Sequence, residues 1–213
     1  MTNTASAQTG NFWDFEFVTP QPTQDADLLR QLNFVPGLKE ILTLRQVHAL
    51  EHATVWVLGE RGNLGNANAS TTTRQSDNET LGGLSTDEGF YLYGRVNLAD
   101  LRRAVPTALQ RLTTGEWDLA VHPRCGTNLS VGMFLTAGLA LGAHLLLPRG
   151  PIEQIIGLGI SAAAATQLTP DMGSLAQRYL TTAIPFNLTV VDITPTSDIW
   201  GRRAHFVQVR WQE

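Results

Sequence analysis

Residues 43–60 read TLRQVHALEHATVWVLGE, and the spacing inside this stretch decides how the chain is organised. Val47, Leu50, Thr54, Val57 and Leu58 recur at intervals that suit one face of a helix. Thr43 and Gln46 stand at capping-box spacing, so the sequence predicts a helix start there and one helix over 44–58, stopped by Gly59 or Gly62. On that helix His48 and His52, four apart, lie on one face, one turn above each other. Two imidazoles so placed can grip one metal ion. Glu51 adjoins their face, giving the order H-x-x-E-H, in which the carboxylate could orient a water and take its proton.

Upstream, residues 1–24 begin with a small, polar stretch that predicts a disordered tail. They lack the basic and apolar regions of a secretory signal. Residues 25–44 predict two short helical pieces broken at Pro36-Gly37. Downstream, residues 60–80 are small, polar and aperiodic, and predict a loop within a metal-site region spanning 25–127. GFYLYGRV (89–96) predicts a strand or hairpin arm. NLADLRRAVPTALQRLTTG (97–115) predicts a helix capped by Asn97 and stopped at Gly115, kinked at Pro106 unless that proline opens a second helix.

A second metal-capable pair lies far along the chain. In HPRCGT (122–127), His122 and Cys125 are a turn apart, with Pro123 and Gly126 suiting a tight, fixed loop. Taken singly, His122 reads as a hydrogen-bonded loop residue and Cys125 as a small buried hydrophobe. Taken with His48 and His52, they point to a metal site. Mixed nitrogen and sulfur ligands put zinc first, ahead of other divalent transition metals. His48, His52 and Cys125 with a water would leave a catalytic position open. Adding His122 would close the site and make it structural. Cys125 is the chain's one cysteine, so an intrachain disulfide is excluded, and a redox role lacks a resolving partner.

Leu129 to Leu147 is a 19-residue run without a formal charge, about the length that crosses a bilayer core as a helix. PRGP breaks it, and IIGLGISAAAATQL (155–168) follows, with Gly157, Ser161 and Ala165 spaced for close helix approach. Residues 128–169 therefore predict an apolar helical hairpin in a membrane, with a pair of helices buried in a soluble core as the alternative. Arg111 and Arg124 before it, Arg149 at its turn and Arg178 after it lean towards cytoplasmic termini, and so a cytoplasmic bulk. His144 reads as a neutral histidine near a helix end.

Residues 170–213 predict a helix and a small C-terminal β-hairpin that pack on the metal-site region. The helix ends before Pro185, and the strands are FNLTVVDI (186–193) and AHFVQVRW (204–211), joined through TPTSDIWGRR. Gln177, Arg178, Thr181 and Thr182 form a polar ridge that reads first as a solvated face. His205 reads as core or interface. The fold class is α+β, mainly helical. Charged residues are only 16% of the chain, against about a quarter in soluble domains, which fits a surface partly hidden in lipid or a partner. A net charge of −4 gives no nucleic-acid footprint. Membrane lipid is the expected partner, and self-association is compatible with the pattern.

HALEHATVWVL, VHPRCGTNL, the apolar stretch and QRYLTTAIP come in an order that resembles the YqhQ-like family of bacterial membrane proteins. The resemblance covers roughly residues 44–60 and 120–190, and HPRCGT is its most specific part. That family is uncharacterised and described as predicted metal-dependent enzymes. It implies a membrane setting and a metal role for His48, Glu51, His52, His122 and Cys125, but no substrate. This chain departs from it in its polar insert after the histidine helix and in its shorter apolar region. Two functions follow as expectations. One is a zinc-dependent hydrolase with Glu51 as general base and Arg124 stabilising developing negative charge. The other is a non-enzymatic membrane protein with a structural metal.

Overall fold

The computed structural model describes residues 19–64, 81–148, 150–198 and 200–212. Most of the expected tail and most of the expected polar loop lie outside the described residues. Helix α1 (Gln24–Gln31) leads through a turn to α2 (Leu38–Leu64), which runs up the centre of the protein. The break at Pro36-Gly37 is present, and Gly37 takes the left-handed backbone (φ 80°) that a side chain would resist. The second short piece is not separate, however. It is continuous with the histidine helix, which also extends to Leu64 in place of the predicted loop. Thr43 is therefore no cap: its hydroxyl donates to the Lys39 carbonyl at 2.7 Å, one turn back.

Burial explains the length of α2. Residues 49–58 are buried on every side, because α2 is packed between α3 (Leu98–Thr113) and a four-stranded sheet. The sheet contains β1 (Gly82–Thr86), β2 (Gly89–Tyr93), β3 (Leu188–Ser197) and β4 (Arg203–Trp211) in the antiparallel order β1-β2-β4-β3. β2 falls within the strand expected at 89–96, and with β1 it joins the expected C-terminal hairpin in one sheet. Phe90 pairs with Val207 and Leu92 with His205, so these side chains share the face turned to the helices. Tyr91 and Phe206 stack on the other face with ring centres 4.7 Å apart. A bulge at Val191 offsets β3 against β4. Gly89 (φ 149°) opens β2, and a Cβ there would collide with the Val207 carbonyl. The core is Val47, Leu50, Ala53 and Val57 of α2 against Leu101, Val105 and Leu112 of α3 and the inner sheet face. Asn97 caps α3 as expected, its side chain accepting from Ala99 N–H at 2.8 Å, and the helix continues through Pro106.

A 3₁₀ turn (Trp117–Ala120) and the HPRC loop lead to α4 (Gly126–Leu146), which pairs with α5 (Pro151–Ala176) as a helical hairpin. Small residues bring the two helices close. Gly157, Ser161 and Ala165 are buried between them, Gly157 lies under Ala143 and Leu147, and a Cβ at Gly132 would come 3.2 Å from Thr169 Oγ1. The expected separate helix after 170 is instead the end of α5, which passes through Pro170. No residue of α4 is buried, and its apolar side chains face outward, with Phe134 79% and Leu146 87% exposed. Among the described residues α4 is the one helix long and apolar enough to cross a membrane. α5 carries Glu153 and Asp171 and does not pass that test.

Phe90 is fully buried where sheet and helices meet. Phe90→Ala is expected to lower stability by about 3–5 kcal/mol, measured by chemical denaturation.

A candidate metal centre

The central helix sets His48 and His52 one turn apart, with ring centres separated by 4.4 Å. Each ring is held from behind by a backbone carbonyl. His48 Nδ1 lies 3.0 Å from the Thr181 carbonyl oxygen, and His52 Nδ1 lies 2.7 Å from that of Ala120. A carbonyl can only accept, so both rings keep a proton on Nδ1, and in its neutral form each presents a bare Nε2. That is the tautomer a metal takes, fixed by the outer-shell bond usual for ligating histidines.

Cys125 meets these nitrogens. Its sulfur lies 3.3 Å from His48 Nε2, across seventy-seven positions of sequence. One ligand atom from each of His48, His52 and Cys125 fits within a mutual span of 4.8 Å. Tetrahedral zinc would draw such atoms to roughly 3.5 Å apart, a small inward shift. Cys125 is also the N-cap of α4, accepting from Thr127 N–H at 3.4 Å. Burial pushes its thiol up, but the hydrogen bond and charge of His52 in its protonated form, with the bonds from Thr127, outweigh this and hold it below the ordinary value. The sulfur is thus biased towards the thiolate that binds metal.

His122 stands outside this set. Its Nδ1 accepts from Arg124 N–H at 3.3 Å. The ring packs against Trp56 at 4.8 Å and His52 at 5.6 Å, beside the three-residue cluster. Arg124 is exposed on the same loop. Glu51 is buried and turned towards β1, where Ser85 Oγ donates to its Oε2 at 2.5 Å and Gly83 makes room for its carboxylate. Burial pushes the Glu51 carboxyl up, partly opposed by the Ser85 bond and the charge of His48.

The polar ridge is not a solvated face. Residues Gln177–Thr181 form a π-turn at the end of α5, and Gln177 is 0% exposed. Its side chain accepts from His122 N–H at 2.8 Å and donates to the His122 carbonyl at 3.1 Å and to Asn128 Oδ1 at 2.8 Å. This clamps the HPRC loop to α5. The turn also presents the Thr181 carbonyl to His48, while Arg45 Nη2 donates to the carbonyls of Tyr179 and Thr182 at 3.1 and 3.0 Å. The roles of Gln177 and of the Ala120 and Thr181 carbonyls escape sequence reading. A carbonyl belongs to every residue type, and the one residue-level signal was the cluster of Gln and Thr in QRYLTT.

A family model described as a domain of unknown function, DUF6391, matches residues 43–193. The chain belongs to the DUF6391 family. The match starts five residues before His48 and takes in Cys125, Gln177 and Thr181, so all parts of the centre lie inside the DUF6391 region. An uncharacterised protein of Picosynechococcus sp. (strain ATCC 27264 / PCC 7002 / PR-6) is 52% identical over 202 residues, covering 95% of this chain and 96% of that relative. No solved structure matches. The YqhQ-like resemblance remains one of motif order, and the family shown is DUF6391.

Glu51 gives this DUF6391 chain a pH signature. A carboxyl whose folded pKa exceeds its unfolded one binds more protons folded than unfolded, so its ionisation lowers stability as pH rises from about 4.5 through the folded value. Glu51→Gln keeps an acceptor for Ser85 without the buried charge. It is expected to be more stable than wild type at pH 8, with the difference vanishing towards pH 4.5, read from thermal unfolding across pH.

Proposed function

We propose that this chain is a membrane-anchored metal protein, with a centre of His48, His52 and Cys125 that serves zinc-dependent hydrolysis. The observation that carries this reading is the pair of Nδ1 hydrogen bonds to backbone carbonyls, which leaves both Nε2 atoms beside one cysteine sulfur. Zinc is preferred because two imidazoles and a thiolate match its ligand chemistry.

Three ligands with His122 held in another hydrogen bond favour an open, catalytic coordination over a closed, structural one. A zinc ion so held supplies Lewis acidity and lowers the pKa of a water in its fourth position to about 7. The residues around it supply the rest. His48 is half-buried and forms the solvent-facing side of the cluster. Glu51 is the proposed general base. Its raised carboxyl moves towards the neutral range where a base works best, and it is close enough to feel the charge of His48. Arg124, exposed on the loop that carries Cys125, is the proposed stabiliser of developing negative charge.

The membrane part of the proposal rests on the exposed apolar surface of α4. Its 21 residues span about 32 Å, against about 30 Å for a bilayer core. Cys125 caps the start of α4 and Thr181 lies just past the end of α5, so the centre sits at the foot of the hairpin. Such a site would meet substrates at the membrane surface. The arginine balance favours the cytoplasmic face for the body of the chain.

Metal analysis of the purified protein is expected to find one zinc per wild-type chain and none in His52→Ala or Cys125→Ala. His122→Ala and Glu51→Gln should retain it, and Glu51→Gln should lose hydrolysis of any substrate the wild type turns over. Stoichiometric metal in both His52→Ala and Cys125→Ala would overturn the centre.

Wild-type protein is also expected to stay with membranes after an alkaline carbonate wash. Replacing the exposed Leu129, Phe134 and Leu141 with lysine should release it, since each charge in mid-bilayer costs about 3 kcal/mol. Release of the wild type would remove the membrane assignment.

A further inference from the structure

On the other side of the π-turn from the metal centre lies a cavity of about 560 Å³, a volume in the range of small-molecule sites. Its walls include the cations Arg45 and Arg178 and the aromatic rings of Trp117, Tyr179 and Phe186. The proposed function makes no use of it.

Its hydrogen-bond balance is uneven. Arg45 Nη2 is held by two backbone carbonyls, which fixes the guanidinium, but Arg45 Nε is buried with no acceptor among the described residues. Trp117 Nε1 is likewise buried without an acceptor. Buried donors are rarely left this way, and each such group calls for an explanation. Charge is uneven as well. Arg45 makes no ion pair among the described residues, since carbonyls neutralise none of its charge. Asp25, the carboxylate in the wall, accepts instead from Gln46 Nε2 at 2.6 Å. Arg178 pairs with Asp118, an exposed partner at the rim. The lining therefore brings a fixed cation, Arg45, together with Trp117 among apolar rings, and each of the two carries a buried N–H donor unanswered among the described residues.

We infer that this cavity binds a small anion, a carboxylate or phosphate, carried on an apolar body. The anionic group would lie against Arg45 and Trp117, and the apolar body along Tyr179, Phe186 and Ile184. Guanidinium and indole N–H groups suit such an acceptor-rich head, and charge-assisted bonds of this type are the strong ones. The position of the cavity at the foot of the hairpin admits two sources for the same chemistry, a membrane lipid or a soluble organic anion. The inference is independent of the metal centre.

The test uses the full chain in neutral detergent with cis-parinaric acid, a fluorescent fatty acid, as the probe. Saturable binding of one probe per chain is expected. Trp117→Phe removes one N–H and keeps a ring, and Arg178→Gln removes a wall charge. Each should weaken binding about tenfold. Arg45→Gln should weaken it further, but Arg45 also supports the π-turn, so the other two variants carry the decision. Displacement by oleate and not by benzoate or inorganic phosphate supports a lipid source. Displacement by benzoate or phosphate supports a soluble one. Absence of saturable binding, or equal displacement by oleyl alcohol and oleate with no loss in Trp117→Phe and Arg178→Gln, would overturn the inference.

Discussion

Two backbone carbonyls, those of Ala120 and Thr181, hold the imidazoles of the central helix by their Nδ1 protons. Everything proposed for the centre depends on that constraint. Without it either ring could carry its proton on Nε2, and a bare nitrogen would face the cysteine only part of the time. With it, the ligand atoms are selected before any ion arrives. Both carbonyls come from segments far from α2 in sequence, one from the 3₁₀ turn after α3 and one from the π-turn after α5. Each is a place where helical bonding changes or stops, and where a carbonyl is left for another donor.

Holding those carbonyls in place requires buried polar groups, and these bond to one another in series. Gln177 locks the HPRC loop to the π-turn through both faces of the His122 peptide region and Asn128. Arg45 and Thr182 fasten the turn to α2 and to itself, with Thr182 Oγ1 donating to the Gln177 carbonyl at 2.8 Å. Gln46 continues the chain on the other side, bonding Asp25 and both the backbone and side chain of Asn187. A network of this kind rigidifies a site because leaving any one member unpaired in the interior is costly. It also joins the sheet, through Asn187 beside β3, to the helix that carries His48 and His52.

The hairpin and the centre share their foundations. Cys125 is at once a cluster member and the cap of α4, and Thr181 closes the turn that ends α5. An ion in the cluster would tie the root of the hairpin to the middle of the protein. The outer surface of the hairpin is apolar while its inner surface is lined with small residues, so the two helices satisfy each other and leave their large side chains facing outward. The apolar character of this region is therefore not core character, in contrast to residues 49–58 of α2, which are all enclosed.

Sequence alone determined the helical placement of His48 and His52, the cap at Asn97, the break at Pro36-Gly37, the close approach at Gly157, Ser161 and Ala165, and the strands nearest the C-terminus. These features are local: period, cap chemistry and backbone freedom act within a few residues. It also brought Cys125 into consideration beside the histidines, on chemical type alone. Tertiary structure decided the rest. It extended α2 past both expected ends, because burial on all sides outweighs the weak local signals of Thr43 and Gly59. It fused α5 across Pro170, added β1 and β2 to the C-terminal pair, and buried Gln177 and Thr182. It also brought the Cys125 sulfur, and not the His122 ring, to His48 Nε2. Whether a side chain coordinates, packs or accepts a hydrogen bond depends on which atoms from distant segments meet it, and that is a property of the packed chain.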